Sequence, residues 1–398
     1  MTASRIYMDN HATTRVDPRV VDAMLPYFSE KFGNAGSTSH WMGWEAQAAV
    51  DQSRATIARI IHASPKEIIF TSGATESNNL AIRGVVERAR RRGNHIVSVR
   101  TEHKAVLDPL NKLSRRGFDV TLLPVEPAPG ARAGVVDVER VVESLRDDTV
   151  LVSMMLANNE IGVIQSVAAL AAVCRERGIA IHTDATQAVG KLSVDVEQLN
   201  VDLMSFSAHK LYGPKGVGAL FVRRRSPPMR LESQIDGGGQ EFGFRSGTLA
   251  VPLIVGFAQA LELCEQELET ESVRLAGLRQ RLFEALCEFV PDCQPNGPDW
   301  NEPGLRLPGN LNCSFAGVDG EALMMSMRDL AVSSGSACTS TNPEPSHVLR
   351  ALGIRDDLVR ASLRFGLGRF STADEVERAA EMVGSSVRRL RALVRPNP

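Results

Sequence analysis

Lysine is scarce in this chain: of 45 basic side chains in 398 residues only seven are lysine, and none follows Lys215. Chemistry that needs an amine must draw on Lys31, Lys66, Lys104, Lys112, Lys191, Lys210 or Lys215. Net charge is nearly absent as well, with 45 basic against 47 acidic residues, which removes the basic footprint expected of a direct nucleic-acid binder. The run RARRR over 88–92 reads as the cationic last turn of a helix capped at Gly93. No apolar run approaches the ~20 residues that span a bilayer, and MTASRIYMDN has no apolar signal core, so a cytoplasmic protein without a membrane partner is expected. The cysteines Cys174, Cys264, Cys287, Cys293, Cys313 and Cys338 form no CxxC pair and no Cys/His spacing typical of zinc. Neither a disulfide framework nor a resident metal is therefore expected. The GxxxxGK[ST] loop and a GxGxxG after the first strand are also missing, which counts against kinases, ATPases and nicotinamide enzymes.

What is present is alternation. Seven short apolar or β-branched runs, EIIF (67–70), HIVSV (95–99), FDVTLL (118–123), TVLVSMML (149–156), IAIHT (179–183), DLMSF (202–206) and GALFV (218–222), are interleaved with amphipathic stretches such as SNNLAIRGVVERARRR. This pattern predicts an α/β fold with a mainly parallel sheet. From about 251 a long helical stretch is followed by a Pro/Gly/Asn-rich connection, with LNCSF and SLRFGLG as later strands. Together with the chain length this predicts a second, smaller α+β unit.

Five of the runs lead into polar loops: TSGATES, RTEHKA, ANNEIG, DATQ and SAHK. In a parallel sheet such loops emerge at one edge, where open α/β proteins bind ligands. Ser72 to Thr75 supply small residues, backbone N–H groups and a hydroxyl ahead of a helix expected near Glu76, with Ser207 and His209 as further donors: a seat for a phosphate. Asp184 ends its strand at the same edge and needs a cation to offset its desolvation. A cofactor with both a phosphate and a protonated ring nitrogen is pyridoxal phosphate, whose enzymes hold the aldehyde on a lysine. Lys210, directly after DLMSF and Ser207–His209, is the lysine best placed for that task. Among the cysteines only Cys338 stands apart, in the Ser/Gly/Pro-rich string SSGSACTSTNPEP, which gives a thiol access.

Seven strings in order, YMDNHATTRVD, FTSGATESNNLAI, TEHKAVLDPL, NNEIGVIQ, HTDATQAVGKL, SFSAHKLYGPKGVGAL and GGGQEFGFRSGT, then SSGSACTST and SLRFGLGRF, resemble the cysteine desulfurases of the NifS/IscS type. These belong to the class V aminotransferases with pyridoxal phosphate fold type I, and the resemblance runs over most of the chain. It implies a large domain with a mainly parallel seven-stranded sheet over 16–262 and a small domain over 263–398 carrying the cysteine loop. The segment 1–15 would join the small domain. It further implies Lys210 as the Schiff-base lysine, Asp184 as partner of the ring nitrogen and His103 stacked on the ring. Gln187 and Asn159 would lie near the phenolic oxygen or the substrate, and Ala74, Thr75, Ser207 and His209 would hold the phosphate. Thr248 would reach in from the second subunit of a homodimer, Arg364 would clamp the substrate carboxylate, and Cys338 would be the nucleophile that becomes a persulfide. The implied reaction turns L-cysteine into L-alanine and hands the sulfur to an acceptor or iron–sulfur scaffold protein; transient ligation of a transferred cluster by Cys338 stays an open alternative.

This sequence also departs from the family. Ala208 stands where glycine is frequent, Phe242 and Phe244 replace residues that include an arginine and should alter the charge of that loop, and the chain stops at LVRPNP without the tail used for scaffold docking. Rival readings are a selenocysteine lyase or cysteine β-lyase on the same cofactor, and a sulfur-relay protein without catalysis of its own.

Overall fold

The computed structural model describes residues 5–224, 228–334 and 345–394. All seven predicted runs enter one sheet, in the order Ile68–Thr71, Gly218–Val222, Leu203–Ser207, Ala180–Asp184, Thr149–Ser153, His95–Val99 and Asp119–Leu123. Every neighbouring pair is parallel except the two made by Gly218–Val222, which runs antiparallel to both of its partners. Central strands such as His95–Val99, Leu203–Ser207 and Gly218–Val222 are buried at every position, as expected where helices cover both faces and a continuous apolar run replaces alternation. TVLVSMML is shorter as a strand than as a sequence run: the strand ends at Ser153, and Met154 to Leu156 stay buried, with the Met154 N–H donating to the His182 carbonyl oxygen and the Leu156 N–H to that of Asp184.

Two sequence expectations about helix ends are corrected. The helix expected near Glu76 begins at Ala74, with Gly73 as its N-cap and no side chain capping it. Gly73 adopts φ 153°, a conformation side-chain-bearing residues rarely take, and a Cβ on Gly218 would lie 2.7 Å from the Gly73 Cα. The loop is therefore tight enough to bring bare N–H groups to the sheet edge. At the other end the same helix stops at Ala89, so Gly93 is no cap; it is glycine because a Cβ there would meet the Asp148 carbonyl oxygen at 2.1 Å.

The smaller α+β part is a four-stranded antiparallel sheet, in the order Ser333–Ser334, Ser362–Gly366, Asn310–Ser314 and Gln294–Pro295. The stretch from 251 forms one continuous helix, Val251–Phe289, of 39 residues. Its first half (Ile254, Phe257, Leu261, Cys264) joins the core under the large sheet, whereas Leu282 and Leu286 join a separate core with Leu311, Phe315, Phe365 and Val383. The start of the chain belongs with that second core: Ile6–Tyr7 pairs in parallel with Leu330–Ala331, and Ile6 and Met8 are buried there. The segment then crosses back, since the Asn10 N–H donates to the Gly366 carbonyl oxygen and the Thr14 N–H to that of His209.

Candidate active site

The ends of the strands Ile68–Thr71, His95–Val99, Thr149–Ser153, Ala180–Asp184 and Leu203–Ser207 surround a cavity of about 440 Å³. It gathers Ala74, Thr75, His103, Asn159, Asp184, Gln187, Ser207, His209, Lys210 and Arg364, ten of the twelve residues expected at the site. Thr248 lies outside this cavity of its own chain and lines another hollow with Asn34, Gly36, Arg54 and Phe242. Cys338 falls outside the described residues. The described residues on either side of it border the site: Ser333 Oγ accepts from Arg364 Nη2 at 3.1 Å, and Ser346 Oγ donates to Glu160, next to Asn159.

One end of the cavity is the uncapped N-terminus of the helix Ala74–Ala89. Its free N–H groups and partial positive charge favour an anion. Glu76 in the first turn does not cancel this, because Arg245 Nε donates to it at 2.8 Å and holds its carboxyl below the usual range against the effect of burial. His209 is pulled down to about 4 by burial and by the nearby Lys210 and Lys215. It is a neutral donor or acceptor here, sharing a 3.1 Å hydrogen bond with Thr13 Oγ1, so the positive charge at this end comes from the helix and from Lys215, which also lines the cavity.

Asp184 sits at the opposite side, 6% exposed. Asn78 Nδ2 donates to its Oδ2 at 2.7 Å and the Thr186 N–H to its Oδ1 at 3.0 Å. Both of these partners are neutral, which leaves room for a cation inside the cavity to pair with Asp184. Beneath it His182 is held neutral at about 4, mainly by burial, between Ser153 Oγ at 2.9 Å and Ser205 Oγ at 3.0 Å.

His103 caps the helix Lys104–Arg115: its Nδ1 accepts from the Ala105 N–H at 3.1 Å. That bond fixes the neutral ring as the Nε2–H tautomer, and burial pulls the ring below the ordinary histidine range. Lys210 Nζ donates to the carbonyl oxygens of His11, at 2.7 Å, and of Ala12. Gln187 Nε2 donates to the same His11 carbonyl at 2.9 Å. Arg364, 3% exposed, donates from Nη2 to Asp9 Oδ1 at 2.9 Å and from Nη1 to the Asn159 carbonyl at 3.2 Å, while its Nε has no partner among the described residues. A planar guanidinium so held presents its remaining N–H groups to a carboxylate.

Several participants escaped the sequence reading. Asp9 and His11 come from a segment hundreds of residues from Arg364, and Asn78 from the interior of a helix, so no spacing signals them. Lys191 follows Gln187 by four residues and donates to its Oε1 at 2.5 Å; that spacing was visible. Phe242 and Phe244 do alter their loop, but as faces for cations: Arg54 stacks 5.3 Å from Phe242, and Arg224 4.4 Å from Phe242 and 5.5 Å from Phe244. Ala208, where a glycine was expected, has its methyl group fully buried.

The Aminotransferase class-V family model matches residues 6–379. A cysteine desulfurase IscS of Anaeromyxobacter dehalogenans is 54% identical over 388 residues, covering 98% of this chain and 94% of its own length. Among solved structures, a NifS-like protein superposes with a TM-score of 0.88 at 36% identity, covering 97% of this chain and all of its own. The structure titled "SspA in complex with cysteine" does so with 0.78 at 36% identity over 92% of this chain and 100% of its own. With the sheet, the cavity and these likenesses together, the chain belongs to the cysteine desulfurase family of the class V aminotransferases.

Proposed function

We propose that this protein is a pyridoxal phosphate-dependent cysteine desulfurase that converts L-cysteine to L-alanine and loads the sulfur on Cys338 for an acceptor or iron–sulfur scaffold protein. The observation that carries the reading is the single cavity that joins Lys210, Asp184, His103, an uncapped helix N-terminus and Arg364. The residues fit the cofactor: a buried carboxylate with only neutral partners suits a protonated ring nitrogen, and the bare N–H groups from Ala74 onward suit a phosphate. In this reading Ala74, Thr75, Ser207 and His209 hold the phosphate, Asp184 the ring nitrogen, and Lys210 the aldehyde carbon. The bound cofactor supplies an electron sink for the bonds at the substrate Cα.

The chain's own residues do the rest. Arg364 binds the substrate carboxylate, with Asn159 beside it. Lys210 would be the base that takes the Cα proton. His103 offers a proton from Nε2, and takes one up only if Nδ1 lets go of the Ala105 N–H. In net terms the C–S bond of L-cysteine breaks and an S–S bond forms at Cys338 Sγ, leaving a persulfide and L-alanine.

A homodimer belongs to this reading. Leu25, Phe28, Phe32, Trp41 and Trp44 are each more than half exposed, an apolar surface of the kind that a second copy covers. Thr248, outside its own cavity, lines a hollow with Asn34 and Gly36 from the same stretch of chain. The same reading puts the enzyme in the cytoplasm, where thiols stay reduced, in keeping with the five described cysteines being free. It also treats 16–262 and 263–398 as the large and small domains.

The test is turnover of L-cysteine by the purified protein, with alanine quantified and the Cys338 peptide examined by mass spectrometry. Alanine with a persulfide at Cys338 is expected. A Cys338→Ala variant that still consumed cysteine at full rate, giving pyruvate, ammonia and sulfide in place of alanine, would overturn the reading in favour of a β-lyase.

A further inference from the structure

In the sequence Lys191 reads only as a lysine that follows a glycine beyond a helix. In the structure it lies behind the cavity wall rather than on it. It lines a small enclosed space with His11, Cys264, Glu267 and Glu271, and its ammonium donates to Gln187 Oε1 at 2.5 Å. The Gln187 side chain, 4% exposed, lines the main cavity. Its other end donates from Nε2 to the His11 carbonyl oxygen at 2.9 Å.

These two contacts specify which way round the amide sits. With the oxygen on Lys191 and the nitrogen on His11, each group meets its complement. Turned over, the amide would set two donors against each other at Lys191 and two acceptors at His11. Nε2 spends one hydrogen on His11 and has a second, so an acceptor in the cavity meets an N–H here and not a carbonyl. Below about pH 7 Lys191 is an ammonium, which also polarises the amide and strengthens what Nε2 donates; above it the neutral amine still donates to Oε1.

We infer that Lys191 is a positioning residue that locks the Gln187 amide with its N–H turned to the cavity, so that Gln187 serves as a fixed donor to the phenolic oxygen of the bound cofactor. This rests on the cofactor reading given above. Lys191 touches neither cofactor nor substrate in this scheme; it acts through Gln187. The setting suits a residue whose state matters: desolvation and the positive charges of Lys210 and Arg364 pull Lys191 down to about 7. The neighbouring His11 ring is held neutral by burial, and neither of its nitrogens has a partner among the described residues.

A donor to the phenolic oxygen favours its ionised form, so losing that donor raises the pH at which the bound cofactor's visible band changes. The experiment is a spectrophotometric pH titration of the purified holoprotein without substrate, as wild type, Lys191→Met and Lys191→Arg, with binding of pyridoxal phosphate to each apoprotein measured alongside. Lys191→Met is expected to shift the midpoint upward by about 0.5–1 pH unit and to weaken cofactor binding about 3–10-fold. The KM for L-cysteine, set by Arg364, should stay within about twofold of wild type. Lys191→Arg, which keeps a cationic donor, should recover most of both losses. If Lys191→Met fails to fold, Lys191→Gln, a neutral donor, replaces it and should shift the midpoint in the same direction by less. A wild-type midpoint in Lys191→Met, or in Lys191→Gln where that variant stands in, overturns the inference, as does a Lys191→Arg protein no better than the variant it should rescue. A wild-type holoprotein with no visible band would instead overturn the cofactor reading itself, and the inference with it.

Discussion

Two places in this molecule bury charge close to the same sheet, and they treat it in opposite ways. Beside the strand Ile68–Thr71, Arg54 and Glu241 form a two-pronged ion pair, with Nη1 to Oε2 at 2.8 Å and Nη2 to Oε1 at 2.6 Å. The surplus capacity is used up as well: Arg54 Nη1 also donates to the Ile68 carbonyl oxygen, the Phe70 N–H donates to Glu241 Oε2, and the guanidinium lies 4.6 Å from the Phe70 ring centre. Backbone strain is accepted to keep this arrangement, since Glu241 and Phe242 both take left-handed conformations, at φ 50° and 58°. At the cavity edge the charges are held but left with capacity to spare. Among the described residues, Asp184 has neutral partners, Arg364 Nε is without a partner, and the helix Ala74–Ala89 has no side-chain cap. A buried pair that satisfies itself holds the fold together, and groups that are fixed in place but incompletely satisfied are ready for a ligand.

Substitutions that separate stability from activity probe this contrast. The largest effect should follow Lys210→Ala: loss of alanine formation by at least about 10⁴-fold, with a thermal midpoint close to wild type. A large loss of stability would mean that Lys210 belongs with the structural charges. Glu241→Gln should do the reverse, since it strands Arg54 in a buried site; urea unfolding is expected to show a loss of about 3–5 kcal/mol, while the folded fraction keeps its turnover. Retained stability would show that the pair is dispensable to the fold.

Glu160 sharpens the comparison because it lies between the two cases. It is buried beside the cavity and accepts from Ser346 Oγ, and burial raises its carboxyl to about 7. A carboxyl raised on folding lends stability that is complete below the ordinary range near 4.5 and disappears as pH rises through about 7. Wild type should therefore lose on the order of 3 kcal/mol between about pH 4.5 and 7.5 relative to Glu160→Gln, which has no proton to lose. Unfolding curves at pH 5 and pH 8 measure the difference; parallel pH profiles would show that Glu160 is ionised in the folded protein.

Much of the sheet could be read in the sequence because its strands are local apolar runs bounded by polar turns. The cavity was legible for a related reason: five strand ends followed by polar loops must meet at one edge of a parallel sheet. The groups that could not be read are those joined by the fold alone. Arg54 and Glu241 are 187 positions apart, and nothing near either residue marks it as buried. Asp9 carries no signal of its own, and its contact with Arg364 depends on the pairing of Ile6–Tyr7 with Leu330–Ala331. Gly93 was misread because close approach to the Asp148 carbonyl, and not a helix end, demands glycine there.

The contact between Asp9 and Arg364 spans 355 positions, and it sets a schedule for the newly made protein. At roughly 5–20 residues added per second, about 18–70 s pass between the synthesis of the two partners. During that interval the large sheet can fold, but the segment around His11 that receives Lys210 has no Leu330–Ala331 strand to dock on. The site is therefore assembled only after Arg364 has left the ribosome, long after the sheet that carries Lys210 has been made.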